Sequence, residues 1–366
     1  MFNIEKIARP CITQGHTYVP GKPIEEVEKE YGITNIAKLA SNENPFGASK
    51  MALEAMIEEM RTRIHLYPES SCTLLREKLA DLFGLNPWNF FIDNGLDGVI
   101  TMIGLTFLLP DDEVITSDLT FPAYRNITQK MGAKYISIPS KDDFSCDIDG
   151  IIQAVTPNTK IVFICNPNNP TGTIIGKDAF ARLMNAVPDT ALVVSDEAYF
   201  EFVQSTDYPD TIPYIATYPN LMVLRTFSKL MGIAGIRVGY AVADESIVKM
   251  MMKAREPFPV NRAAQAGALA SLEDKAFFSK VLEHTKAEKE FLREKLTQFG
   301  FSVAESHTNF LFVRLNRPAE NLYEKMLAEG IIVRPFSYSG EDFFRITIGT
   351  TEENRKLLSV FAKLLR

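Results

Sequence analysis

At 366 residues the chain exceeds what one hydrophobic core normally sustains, so two domains are expected. A hydrophobic content of 46% with 23% charged residues excludes wholesale disorder. The net charge of −7, with Lys and Arg scattered along the chain, argues against a nucleic-acid partner.

Residues 1–40 carry Pro10, Pro20 and Pro23 with little periodicity, and are expected to form an N-terminal arm that packs elsewhere. Their start, MFNIEKIARP, lacks the charged-then-apolar order of a signal peptide. The apolar stretch VITMIGLTFLLP is too short and too interrupted to span a bilayer, so a soluble, cytoplasmic protein with no membrane partner is expected. The triplet Asn126-Ile127-Thr128 then reads as coincidence. Cys11, Cys72, Cys146 and Cys165 form no CxxC pair and no zinc spacing, so reduced thiols and no metal are expected.

From there strand-like and helix-like segments alternate. IVFIC (161–165), ALVVS (191–195) and LMVLRTF (221–227) are continuous apolar runs of the kind buried on both faces in parallel sheets. The segment 177–187 places its apolar residues on one helical face. This alternation predicts an α/β fold, a mostly parallel doubly wound sheet with helices on both sides. Two prolines in REPFPVN (255–261) suggest a boundary, giving a large domain over 41–258 and a smaller α+β domain over 259–366. In that second part helices over roughly 261–272 and 275–299 precede strands at 309–315, 331–336 and 343–349, with a helix at AENLYEKMLAEG and an amphipathic one at the end.

Each strand in the first part ends in unusual polar residues: NPNNPTG (166–172), DEAY (196–199), and SKLMGIAGIRVG (228–239). Alone, the first also fits a turn, Asp196 a helix cap, Lys229 a snorkelling lysine and Arg237 a solvated charge. Together, at successive strand exits where doubly wound sheets bind ligands, they point to one site. GTIIGKD (172–178) is one residue short of a phosphate-binding Walker loop and has Asp178 where Ser or Thr is required. Gly232, Gly235 and Gly239 do not fit GxGxxG. A lysine, a carboxylate, an asparagine, a tyrosine, hydroxyls and an arginine are the groups that pyridoxal 5'-phosphate needs. Its aldehyde takes an amine, its ring nitrogen a buried carboxylate, and its phosphate hydroxyls, a helix N-terminus and an arginine.

YVPGKPIEEVEKEYG (18–32), KLASNENPFG (38–47), CNPNNPTG, SDEAY, RTFSKLMGIAGIRVGY and RITIGT carry a resemblance over nearly the whole chain. It resembles the fold-type I pyridoxal-phosphate aminotransferases, and among them is most similar to the histidinol-phosphate aminotransferase family of histidine biosynthesis. The resemblance implies that Lys229 holds the cofactor as a Schiff base and shuttles the transferred proton. It implies that Asp196 pairs with the ring nitrogen, that Tyr199 and Asn169 donate to the phenolic oxygen, and that Phe121 stacks on the ring. Thr226, Ser228 and Arg237 would bind the phosphate, with backbone amides of Gly95, Leu96 and Asp97 at a helix N-terminus. Tyr67 would reach the phosphate in a neighbouring subunit, making the active sites shared across a homodimer. Arg345 would bind the carboxylate of 2-oxoglutarate or glutamate, and Arg334 the phosphate of the amino donor, with Tyr18 and Asn44 covering the substrate. Two positions depart from the family pattern: Leu96, where a small polar residue is common, and Gly98, where Glu is common. An aromatic amino-acid aminotransferase and a decarboxylase of a phosphorylated amino acid use much the same cofactor site, so both stay open.

Overall fold

The computed structural model describes residues 2–13, 15, 21–315 and 318–365. Its strands are β1 (Ala37–Lys38), β2 (Phe90–Asp93), β3 (Glu113–Ser117), β4 (Lys134–Ile138), β5 (Thr159–Cys165), β6 (Leu192–Asp196), β7 (Leu221–Thr226), β8 (Gly239–Ala243), β9 (Ser302–Val303), β10 (Phe310–Arg314), β11 (Ile331–Ile332), β12 (Arg334–Tyr338) and β13 (Glu341–Thr347). The largest sheet has the order β2-β8-β7-β6-β5-β3-β4. Strand β8 runs antiparallel to β2 and β7, and the other pairings are parallel.

The continuous apolar runs follow from burial on both faces. Val162 and Ile164 of β5 enter one core, while Ile161, Phe163 and Cys165 enter the other. Leu221 and Val223 of β7 divide from Met222 and Leu224 in the same way. A period of two with both faces apolar leaves no polar position along these strands until they end. The first core also takes in Ala52 and Met56 of helix Lys50–Arg63 and Ala263, Ala264 and Ala268 of helix Arg262–Ser271. These helices approach closely: a Cβ on Gly267 would stand 2.7 Å from Met56 Cγ. Packing against the large sheet therefore continues through Val281, past the proline pair, and a separate core begins with Leu292 and Leu296.

The smaller antiparallel sheet has the order β12-β13-β10-β9. Sequence patterning predicts one strand over 331–336, but the chain divides at the buried Val333. Ile331 and Ile332 pair in parallel with Ala37 and Lys38, whereas Arg334 onward pairs antiparallel with β13. One backbone edge cannot serve both partners without turning. Pro335 is tolerated because β12 is an edge strand.

The arm holds an unexpected helix, Ile24–Tyr31, opened by Pro23, with Glu25 and Glu26 in its first turn and Gly32 in the left-handed conformation at its end. Val27 is buried against Ala40, Leu327 and Ile332, with Ile24 and Tyr31 partly buried on the same core, an apolar stripe at i, i+3 and i+7 that the surrounding prolines masked in the sequence. Beyond β1, Leu39 N donates to Ile332 O at 2.7 Å and Thr347 N donates to Leu39 O at 2.9 Å. This zipper carries residues 40–43 to the mouth of the large sheet.

The arm's next segment meets the loop after β7 at Gly232, whose φ is +72°. A Cβ there would collide with the Gly47 carbonyl, whose carbon lies 2.7 Å from that position. Gly232→Ala is expected to destabilise the fold by about 3 kcal/mol, combining left-handed strain with overpacking against backbone. Urea unfolding checks this; an unchanged midpoint would mean that the Gly47 segment moves aside freely.

Candidate active site

The carboxyl ends of β5, β6 and β7 stand level, with Cys165 paired to Asp196 and Asp196 to Leu224. Because β8 is reversed, its first residue, Gly239, lies opposite Thr226 of β7 and Asp93 of β2 at this same edge. Arg237 is thereby delivered to the edge at which the parallel strands end. Helix Gly95–Phe107 starts there too, passing so close to β8 that a Cβ on Gly239 would stand 3.0 Å from Leu96 N.

A cavity of about 430 Å³ opens over this edge. Its walls bring together Leu96, Asp97, Phe121, Asn169, Asp196, Tyr199, Thr226, Ser228, Lys229, Arg237, Arg334 and Arg345. Gly95 adjoins it, since a Cβ there would come within 2.5 Å of Arg237 Nη2. Tyr67 is elsewhere on this chain, 79% exposed and stacked on Phe258 at 4.8 Å. Asn44 lies behind the wall: its Nδ2 donates to Leu230 O at 2.8 Å and to Lys229 O at 3.4 Å. It holds the lysine loop in place. Tyr18 lies outside the described residues.

Lys229 follows β7 and projects its amine toward the cavity, 5.5 Å from the centre of the Tyr199 ring. Burial, with Arg345 nearby as a second cause, pushes its pKa down to about 8. Asp196, 2% exposed, is pushed up to about 6 by burial, against the pull of two donors. Tyr124 Oη donates to its Oδ2 at 2.7 Å and Ala198 N donates to its Oδ1 at 3.1 Å.

At the opposite end, Arg237 has φ +64° and donates to Ala234 O at 3.0 Å while pairing with Asp97 at 3.2 Å. Ser228 and Thr226 hydroxyls are joined at 3.0 Å, and Asn94 supplies no side-chain cap to the helix that follows. An uncapped helix N-terminus, two hydroxyls and a guanidinium make an anion cradle. Leu96 lends this cradle its backbone and packs its side chain among Val99, Phe91 and Leu224. Gly98 is explained by Asp93, whose Oδ1 lies 2.6 Å from where a Cβ would stand.

The two amide and phenol groups of the middle wall are each oriented from behind. Arg345 Nη1 donates to Asn169 Oδ1 at 2.6 Å, which turns the Asn169 NH2 toward the cavity. Asn42 Nδ2 donates to Tyr199 Oη at 2.9 Å, leaving the phenol proton free to donate onward. Burial pushes the Tyr199 pKa upward, so that proton stays in place. Arg345 also donates to Ala40 O at 2.6 Å.

Sequence reasoning missed Asn42, Tyr124 and the buried pair Glu197–Arg225. Asn42 sits at φ +55°, a conformation that favours Asn, directly before Glu43. Tyr124 stands three residues after Phe121 on helix Pro122–Met131, a spacing that places both on one face. Arg225 Nη2 bonds Glu197 at 2.7 Å beneath the site and braces the ends of β6 and β7.

A family model described as aminotransferase class I and II matches residues 34–361. A histidinol-phosphate aminotransferase of Moorella thermoacetica is 41% identical over 98% of this chain and 92% of its own length. One of Bacillus velezensis is 41% identical over 95% of this chain and 97% of its own length. The crystal structure of histidinol-phosphate aminotransferase from Sinorhizobium meliloti in complex with pyridoxal-5'-phosphate matches at a TM-score of 0.89 with 25% identity, covering 98% of this chain and 97% of that one.

The lowered pKa makes Lys229 distinguishable by chemistry. Trinitrobenzenesulfonate, which attacks only the neutral amine, is expected to modify it half-maximally near pH 8, against 10.5 for an ordinary lysine. Lys289 is also pushed to about 8 by burial but donates to Thr308 O at 3.0 Å, so the label must be located by peptide mass. Labelling of Lys229 with the surface-lysine profile would contradict its desolvation.

Proposed function

The chain belongs to the class I and II aminotransferases, and on that premise we propose that it transfers the amino group of histidinol phosphate to 2-oxoglutarate with pyridoxal 5'-phosphate as cofactor. The observation that carries the substrate reading is the register of the small sheet: Arg334 of β12 is the cross-strand partner of Arg345 of β13, and both line the cavity. Like charges at paired positions repel. Two guanidiniums side by side suit anionic ligands, and the phosphate of histidinol phosphate and the carboxylates of 2-oxoglutarate are groups of that kind.

The wall chemistry fits the cofactor group by group. The cradle of Thr226, Ser228, Arg237 and the helix starting at Gly95 would hold its phosphate. Asp196 would hold the proton of the ring nitrogen, Asn169 and Tyr199 would donate to the phenolic oxygen, and Phe121 would cover one ring face. When bound, pyridoxal phosphate supplies an aldehyde that condenses with amines and a protonated ring that withdraws electrons from the neighbouring carbon. Lys229, partly neutral at pH 7 to 8, would act as the base that takes the proton from the substrate carbon and returns it on the far side of the transferred nitrogen. Arg345 holds the carboxylate of the keto acid in a two-point contact, and Arg334 holds the phosphate of the amino donor.

A homodimer in the cytoplasm completes the reading. Helix Lys50–Arg63 buries Ala52 and Met56 but exposes Leu53, Ile57 and Met60 on its other face, and Ile64 just beyond it. These make an apolar stripe suited to a second copy, and the exposed Tyr67, stacked on Phe258, would enter the partner's phosphate cradle. No described helix is long and apolar enough to cross a membrane.

The decisive measurement follows the visible band of the holoenzyme as amines are added. Histidinol phosphate is expected to discharge it rapidly and phenylalanine slowly; the reverse would make the protein an aromatic aminotransferase. Release of carbon dioxide without consumption of 2-oxoglutarate would make it a decarboxylase. Lys229→Ala should abolish turnover, and Arg334→Ala should raise KM for histidinol phosphate about 30-fold while leaving that for 2-oxoglutarate nearly unchanged.

Sedimentation tests the assembly. The wild type should run as a dimer, and the pair Leu53→Glu with Ile57→Glu should yield a monomer with little activity. A fully active monomer would refute the shared site.

A further inference from the structure

Tyr124 is completely buried at the first turn of helix Pro122–Met131. Its ring lies flat on Phe163 of β5, with centroids 4.5 Å apart and planes 8° from parallel, and meets Phe121 edge-on at 5.8 Å. A phenylalanine would fill the same slot. The hydroxyl is the part that packing does not require, and it reaches Asp196 Oδ2 at 2.7 Å.

With Ala198 N on Oδ1, the Asp196 carboxylate is gripped at both oxygens. It therefore cannot rotate, and its remaining lone pairs are fixed toward the cavity it lines. We infer that Tyr124 is a positioning residue of the transamination site: its phenol keeps Asp196 ionised and aimed, so that the cofactor's ring nitrogen keeps its proton. This rests on the cofactor reading proposed above. Phe121 and Tyr124 then divide the work of one helical turn, one ring facing the cavity and the other fixing the carboxylate beneath it.

Electrostatics supports the geometry. Burial favours the neutral acid, and a donor to the charged form opposes burial. Other groups facing Asp196 are Cys165 at the end of β5, Tyr199 in the loop after β6, Asp97 on helix Gly95–Phe107 and Lys229 after β7. Asp97 favours the neutral acid and Lys229 the ionised one. Tyr124 and the Ala198 amide are the donors that hold it charged.

The test is a double-mutant cycle on cofactor affinity. Apoenzymes of wild type, Y124F, D196N and the double variant are titrated with pyridoxal phosphate from pH 6 to 9, following absorbance. Y124F should bind roughly tenfold more weakly or worse near neutral pH, and its acid limb of binding should move upward by about one pH unit. On the D196N background the same substitution should change affinity less than about twofold. Binding by Y124F within twofold of wild type, or an equal loss on both backgrounds, would overturn the inference. Circular dichroism melting checks that phenylalanine fills the slot; a collapsed fold in Y124F would assign the hydroxyl to the core and also count against it. A wild-type chain that binds no pyridoxal phosphate would instead overturn the function proposed above.

Discussion

The constraint on which the site depends is the register at one edge of the large sheet. Cys165, Asp196 and Leu224 are neighbours across three parallel strands, and Thr226, on the third of them, continues the row to Gly239 of β8 and Asp93 of β2. Side-chain direction in a strand has a period of two, so a slip of one residue would turn Asp196 from its cavity to the opposite face. Both faces of the strands are packed with apolar residues, which makes such a slip costly. The core thus places the carboxylate, and the buried Glu197–Arg225 pair locks the ends of β6 and β7 at that register.

From that edge outward, most polar groups of the cavity are held by a second contact from behind. Asn169 is turned by Arg345, Tyr199 by Asn42, Asp196 by Tyr124, Arg237 by Asp97 and Ala234, and Ser228 by Thr226. Groups fixed in this way need little reorganisation when a ligand arrives, which is how a polar cavity becomes a selective one. These rear contacts join distant pieces of chain. Asn42 comes from the segment directly after the arm, Arg345 from the small sheet and Asn169 from the loop after β5, so that segment and the small sheet are parts of the site itself.

The three parallel strands and their polar exits are legible in the sequence because continuous apolar runs and residues such as Lys229 or Asp196 are local signals. The anion cradle is legible for the same reason, through Thr226, Ser228 and Arg237. The reversal of β8 is not, since GYAVA has the same apolar character whichever way it runs. The division at Val333 is equally hidden: IIVRPF reads as one strand, and only the competing pairings of Ala37 and Arg345 turn the chain there. Asn42 and Tyr124 were overlooked because their value lies in a partner 157 residues away in one case and 72 in the other.

The paired arginines show what such long-range placement accomplishes. Residues 334 and 345 are eleven apart and face each other only because the turn at Ser339 and Gly340, both in the left-handed conformation, folds β12 back on β13. Two guanidiniums at neighbouring cross-strand positions would ordinarily destabilise the sheet. Here Arg345 is stabilised by Asn169 Oδ1 and Ala40 O, both of them neutral acceptors, so those contacts do not neutralise its charge. By holding Arg345 with a carbonyl and an amide, the fold fixes its direction, and the same amide is thereby turned toward the cavity. In the function proposed above, that one hydrogen bond would couple the substrate end to the cofactor end.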